Sequence, residues 1–271
     1  MSNEDSHDKI LFIDQECLLS EQVMSRIYSD MTRCYYASLD WSVEFYVLQA
    51  VRGFIAVCHE TEVGNQIILP EIQRSYCVLD WARLHACNRS VKKSIKVSNL
   101  RLQINHRPSI LVRRMVEYHG TKNWLYSQYR QLCSKLFQAG TLDISGLHAI
   151  QTKFTLCSVE IINESGDLVA GELGYVIGAV YTSLSGFCVR EKKRSIGKMQ
   201  VVSLARRLDQ CGFKFLNLGQ PPMGPVMKYK ADVGGLVLER PDFLNKWNQA
   251  ISAACDLDAF LGTDLPLSQL F

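Results

Sequence analysis

The stretch CSVEIINESGDLVAGELGYVIGAVYTSL, residues 157–184, decides the fold. Its first run, residues 157–162, reads as a strand, and Asn163, Glu164, Ser165, Gly166 and Asp167 then supply a turn. A second apolar run follows at 168–175, Gly178 interrupts, and a third run begins at Ala179. Three strands in such quick succession are expected to pair as an antiparallel meander.

Working outward, a charge-rich loop at 190–194 opens a helix expected over 198–210. Val202, Ala205 and Leu208 make one face of that helix and Gly212 marks its end. A strand at 213–218 closes the unit. Upstream, Leu125, Tyr129, Leu132 and Leu136 recur at i, i+4, i+7 and i+11, which predicts a helix over 121–139 stopped by Gly140. Trp124 is expected on its first turn. A tryptophan there is usually a packing residue, and its wide π face also suits stacking on a terminal base. Helix, meander, charged loop, helix and strand together make a mixed α/β sheet, an α+β class, with a splay point expected after the last central strand.

Further toward the amino terminus, Val23, Met24, Ile27, Tyr28 and Met31 mark a helical stretch within an extension over 1–35. A small α+β domain is expected over 36–112, with a helix at 43–51, strands at 54–58 and 67–69, the turn residues Gly64 and Asn65, and Pro70 as a breaker. The large domain is expected over 113–271.

Composition bounds the function classes. The chain of 271 residues is 47% hydrophobic and 21% charged, ordinary for a folded soluble protein. No run approaches the roughly 20 apolar residues of a membrane span, and the polar start at 1–9 lacks a secretory signal's apolar stretch, so a cytoplasmic location is expected. The 10 cysteines are scattered without a CxxC pair and read as reduced, small apolar residues. The 6 histidines show no HxxxH or HExxH spacing, and no metal site is expected.

The net charge of +3 is too small to announce a nucleic-acid partner, but its distribution is uneven. Residues 88–114 hold Arg89, Lys92, Lys93, Lys96, Arg101, His106, Arg107, Arg113 and Arg114 with almost no acid between them. A solvated basic face and a polyanion site are equally open readings of such a run. Arg89 is the best single candidate, because a guanidinium grips a phosphate through two bonds.

A second anion motif is incomplete. Acyl-CoA acyltransferases bind a pyrophosphate with a Q/R-x-x-G-x-G/A loop at a helix start. The stretch Arg194, Ser195, Ile196, Gly197, Lys198, Met199 resembles it, with Met199 where the second small residue belongs.

Six blocks in order resemble the leucyl/phenylalanyl-tRNA–protein transferase family. Asn88-Arg89-Ser90-Val91-Lys92-Lys93 is similar to its S-R-S-x-[KR]-[KR] motif, and Asn123-Trp124-Leu125 to its T-W-I helix start. Ser158-Val159-Glu160-Ile161 with Asp167 to Tyr175 resembles its S-[IV]-E-V…L-V-G-G-x-Y-G core, and Val180 to Phe187 the following strand with its S-x-F ending. Residues 212–218 resemble G-x-K-L-I-D-C, and Arg240-Pro241-Asp242-Phe243-Leu244 its closing R-x-x-[FY]-L. The blocks cover about residues 85 to 247.

This resemblance implies a GNAT-like acyltransferase fold and transfer of an apolar amino acid (Leu, Phe or Met) from aminoacyl-tRNA to a protein or peptide amino terminus, by a monomer with no metal or redox cofactor. It implies that Arg89, Lys92, Lys93 and Lys96 hold tRNA phosphates. Trp124, Tyr181, Leu184, Ser185 and Phe187 would line the substrate site, and Asn217, Gln220 and Glu172 would serve catalysis. Three positions depart from the family pattern. Asn217 stands where the motif has Asp, Gln220 follows an extra Gly219, and Leu184 replaces the acid of G-E-S-x-F. Glu172 is the candidate substitute base. An exposed or paired glutamate is the commoner outcome, whereas a buried one would have a raised pKa. A non-catalytic tRNA or amino-terminus binding module on the same scaffold and a CoA-dependent N-acetyltransferase remain open.

Overall fold

The computed structural model describes residues 10–86, 89–145, 152–189 and 195–271. They form two compact units, one of residues 1–74 and 124–132, the other of 75–123 and 133–271.

The smaller unit begins with α1 (Gln15–Leu19), α2 (Glu21–Ser29) and α3 (Val43–Val51). Each starts where an Asp or Ser side chain accepts a hydrogen bond from the first turn: Asp14 from Cys17, Ser20 from Val23, Ser42 from Phe45. Helix α3 is buried all round from Phe45 to Val51, as its nearly continuous apolar sequence requires. The strands β1 (Ile55–Glu60) and β2 (Gln66–Glu71) then form a hairpin. Buried Arg52 is satisfied by the Leu18 carbonyl at 2.8 Å and by Glu21 at 2.7 Å, which ties α1 and α2 to α3. Within the extension expected over 1–35, α1 and α2 are thus part of this unit's packing.

The larger unit is built on nine strands. In chain order its elements are β3 (Ser75–Leu79), α4 (Trp81–Ala86), α5 (Arg89–Lys96), β4 (Arg101–Ile104), α6 (Pro108–His119), α7 (Ser127–Ala139) and β5 (Thr141–Asp143). There follow β6 (Lys153–Ile162), β7 (Leu168–Ile177), β8 (Val180–Cys188), α8 (Ile196–Gln210), β9 (Phe215–Asn217), α9 (Lys228–Asp232), β10 (Leu236–Glu239), α10 (Arg240–Ile251), α11 (Leu257–Leu261) and β11 (Asp264–Pro266). The sheet runs β10-β3-β9-β8-β7-β6-β4-β11, with β5 beside β6. Its centre is the expected meander, β6 to β8, with β6 and β7 buried along nearly their whole length and β8 buried through Thr182. Every pairing is antiparallel except β8 with β9.

Two boundaries differ from the sequence expectation. The division expected between 112 and 113 falls inside α6, because β3 and β4 pair into the large sheet and carry residues 75–123 with them. Helix α7, whose residues to Leu132 belong to the smaller unit, starts at Ser127 rather than near 121. There Gln66 Oε1 accepts from the Gln128 amide at 2.8 Å and the Ser127 hydroxyl at 3.1 Å, so Trp124 precedes the helix. The predicted core positions Leu125, Tyr129, Leu132 and Leu136 are all buried. Among the described residues no helix is long and apolar enough to cross a membrane.

Candidate functional site

The parallel neighbours β8 and β9 stay together for three residue pairs, Val180 with Phe215, Tyr181 with Leu216 and Thr182 with Asn217. Past that point they part, as expected at a splay. Two local causes are visible. Just past β9, Gly219 adopts φ +70, the left-handed region that favours glycine. Its amide donates to Asn217 Oδ1 at 2.9 Å, and the chain stays with β3, which β9 already pairs, through Leu218 and Gly219 bonds with Cys77. On β8, the register with β7 shifts between Ser183, opposite Gly174, and Ser185, opposite Leu173. Leu184 is therefore the extra residue of a β-bulge, which bends the strand and re-aims its side chains. Residues 183–186, next to the opening, are all half-buried.

Strand alternation sorts the nearby side chains onto two faces. The face covered by α8 carries Glu172, Gly174, Tyr181 and Ser183, with Cys157 beside them on β6. Gly174 must lack a side chain, because a Cβ there would collide with the Tyr181 hydroxyl. Glu172 is 5% exposed, and burial pushes its carboxyl pKa up to about 7 against the opposing influence of Ser183, Tyr181 and Lys230. Among the described residues, neither Glu172 Oε1 nor the Tyr181 hydroxyl has a hydrogen-bond partner. Burial first, then the Glu172 charge, pushes the Tyr181 phenol well above its ordinary range. Tyr229 is likewise raised by burial and by Glu172. Lys230, 6% exposed, donates to the Leu218 and Gln220 carbonyls, each at 2.7 Å.

The opposite face packs on α6. It carries Ser185, whose hydroxyl lies 3.2 Å from His119 Nε2. Phe187 is on the same face, with the Arg114 guanidinium 5.9 Å above its ring and Tyr118 at 6.1 Å. Fully buried Glu160 accepts from the Arg107 amide and the Ser158 hydroxyl, both at 2.7 Å. That gives the first turn of α6, which has no side-chain cap from Arg107, an acceptor from β6. Burial nevertheless raises the Glu160 pKa above its ordinary value.

The expected catalytic trio is thus divided. Asn217, 1% exposed, lies on the face of Thr182 and Tyr175, opposite to Glu172. Its amide is engaged with Gly219 and, at 3.4 Å, with Thr182. Gln220 stands half-buried just beyond the turn. Of the expected substrate residues, Tyr181 shares a face with Glu172, Ser185 and Phe187 lie on the other, and Leu184 is at the bulge. Trp124 belongs to the smaller unit, where its ring meets Tyr129 edge-on at 4.8 Å.

The long basic run is also divided. Arg89, Lys93 and Lys96 are exposed on α5, whose Val91 and Ile95 face the core, and half-buried Lys92 lies 5.9 Å from the Phe271 ring. Arg101 is spent on Asp264, Arg107 donates to the Gly166 carbonyl, and Arg113 and Arg114 approach Glu117. Asn88 of the basic motif lies outside the described residues, as do Arg194 of the CoA-like stretch and the whole loop 190–194. Met199 is a core residue, and a Cβ on Gly197 would stand 3.3 Å from Cys188 Sγ, so both have packing explanations.

Sequence reasoning missed Ser183, Tyr229, Lys230 and His119. No periodicity marks them; only the fold brings α9 and the end of α6 to β7 and β8.

A family model described as leucyl/phenylalanyl-tRNA protein transferase matches residues 78–248, more than half of the chain. Comparison with curated proteins gives no match.

Proposed function

The chain belongs to the leucyl/phenylalanyl-tRNA–protein transferase family, and from that premise we propose that it moves an apolar aminoacyl group from tRNA to the α-amino group of a protein or peptide, on a GNAT-like fold. In the reaction the amine nitrogen bonds to the ester carbonyl carbon. The carbon–oxygen bond to the tRNA ribose breaks, the nitrogen sheds a proton and the departing ribose oxygen gains one. An ester is already activated, so the protein's task is alignment, proton removal and stabilisation of the oxyanion.

The observation that carries this reading is Glu172, a carboxyl held near neutrality by burial beside the parting of β8 and β9. A pKa near the working pH suits a general base. In this reading half-buried Ser183, a neighbour of the carboxyl, relays the proton from the amine to Glu172. Tyr181 polarises the same carboxyl, Leu184 supplies apolar surface to the substrate, and Gln220 supplies an amide to orient the amine. Asn217 acts as a positioning residue that fixes the turn at Gly219. The cations of α5 hold phosphates of the tRNA, and Trp124 offers a stacking surface for its terminal base.

The test is transfer of labelled leucine, phenylalanine and methionine from charged tRNA to peptides differing only in the first residue. The expected result is tRNA-dependent incorporation that falls by about 10² to 10⁴ in Glu172→Gln, the usual scale of general-base catalysis. No incorporation with any acceptor overturns the proposal and leaves a binding module, the reading favoured by the neutral Asn217 and Leu184.

A further inference from the structure

We infer that Lys230 is the positioning residue of this site, one buried ammonium that clamps the two carbonyls flanking Gly219, just past the end of β9; the inference rests on the transfer reaction proposed above. Lysine is almost never buried unless it is paired, because an ammonium loses its hydration there. Lys230 is buried, and charge-assisted bonds to the Leu218 and Gln220 carbonyls, both at 2.7 Å, offset that loss. Stability alone would be served as well by an apolar side chain of similar volume. The cation does two things such a side chain does not do. It fixes the carbonyls on either side of Gly219, the residue at which β9 leaves β8, and it favours the ionised form of Glu172.

The backbone is built to bring it there. The Gly235 amide donates to the Lys230 carbonyl at 2.8 Å, and a Cβ on Gly235 would lie 2.6 Å from that oxygen and from Cys77 Sγ. The Lys198–Asp232 pair at 2.8 Å ties α9 to α8. The groups facing this region are Tyr181 and Ser183 from β8, Tyr229 and Lys230 from α9, Cys157 from β6 and Gln200 from α8, whose amide borders Gly186 opposite Glu172. Lys230 is the cation in this set. With it in place, Glu172 is partly ionised at neutral pH and takes the amine's proton through Ser183. Without it, the carboxyl stays protonated over more of that range and the turn at Gly219 loses its clamp.

The experiment uses the full chain labelled with carboxyl-¹³C glutamate, the Glu172 resonance being identified by its loss in Glu172→Gln. Titration is followed in the parent, Lys230→Met and Lys230→Arg, alongside transfer. In Lys230→Met the Glu172 midpoint is expected to rise, the direction in which loss of a nearby cation moves a carboxyl, and the acid limb of the transfer profile moves with it. Lys230→Arg keeps the charge, so the midpoint stays while kcat falls, because a planar guanidinium does not reproduce the two carbonyl bonds of a compact ammonium. A folded Lys230→Met protein in which Glu172 titrates as in the parent overturns the inference. Should that variant not fold, Lys230→Gln, which keeps a donor without the charge, is read in the same way. If the parent transfers nothing while the titration shift is present, the proposed reaction fails and the coupling of Lys230 to Glu172 stands.

Discussion

Glu172 holds its proton more tightly in the folded chain than in the unfolded one, with a pKa near 7 against an ordinary value of 4.5. Its stabilising contribution is therefore complete below the ordinary glutamate pKa and is lost as pH rises toward the folded value, levelling off above it. We expect the stability difference between the parent and Glu172→Gln to move against the parent by about 3 kcal/mol between about pH 4 and about pH 8. Denaturant unfolding at a series of pH values measures it; a difference that is flat with pH would mean that Glu172 is not perturbed. The sequence reading favoured an exposed or paired glutamate, because alternation along β7 says which residues share a face and not which face is covered. The same limit explains Asn217. Its place in a motif suggested chemistry, but its side chain is committed to the turn at Gly219.

Among the elements, α6 depends on a residue of a distant strand. Glu160 receives the Arg107 amide at the start of α6 and the Ser158 hydroxyl, and Asn105, at φ +59, adds an acceptor for the Ser158 amide at 2.7 Å. Asparagine tolerates that left-handed conformation better than most residues. Glu160→Ala strands the Arg107 amide and leaves the Ser158 hydroxyl only its longer bond to Asn105 Oδ1 at 3.4 Å; it is expected to destabilise by about 1–3 kcal/mol, with Glu160→Gln milder because it keeps an acceptor. Urea unfolding checks this, with the exposed Arg113→Ala as a control expected to change stability by less than about 0.5 kcal/mol. The existence of α2, α3, β1, β2, α7, the meander β6 to β8, α8 and β9 was legible from apolar runs, turn residues and glycine stops, whereas α1, β3, α4 to α6, β4, β5 and the elements after β9 were not. Helix α3 spans the very residues that its apolar run predicted. The start of α7 was not legible, since Gln66, which sets it, is 61 residues away from Ser127. Nor was the bulge at Leu184, which depends on how β8 pairs with β7.

For the whole molecule, the family match over residues 78–248 and the exposed cations of the basic helix α5 give the proposed tRNA interaction its test. Reversing Arg89, Lys93 and Lys96 to Glu is expected to weaken tRNA binding and to lower the magnitude of the log–log salt slope by about 2–3, one unit or slightly less for each phosphate that is no longer neutralised. Stability should change by less than about 0.5 kcal/mol per site, since all three side chains face solvent. An unchanged slope would place the tRNA elsewhere. The sequence by itself determined the strand meander, the helices α2, α3, α7 and α8, the family and the basic run, because apolar periodicity, turn chemistry and motif order are local properties of a chain. Only the tertiary structure decided that the basic run is broken up by Asp264, Gly166 and Glu117, that Asn217 and Glu172 lie on opposite faces, and that Lys230 meets the carbonyls at the end of β9. Each of these depends on which partner a charge or a strand face finds across many residues of chain, and burial, which sets the strength of every such interaction, exists only once the sheet has been covered.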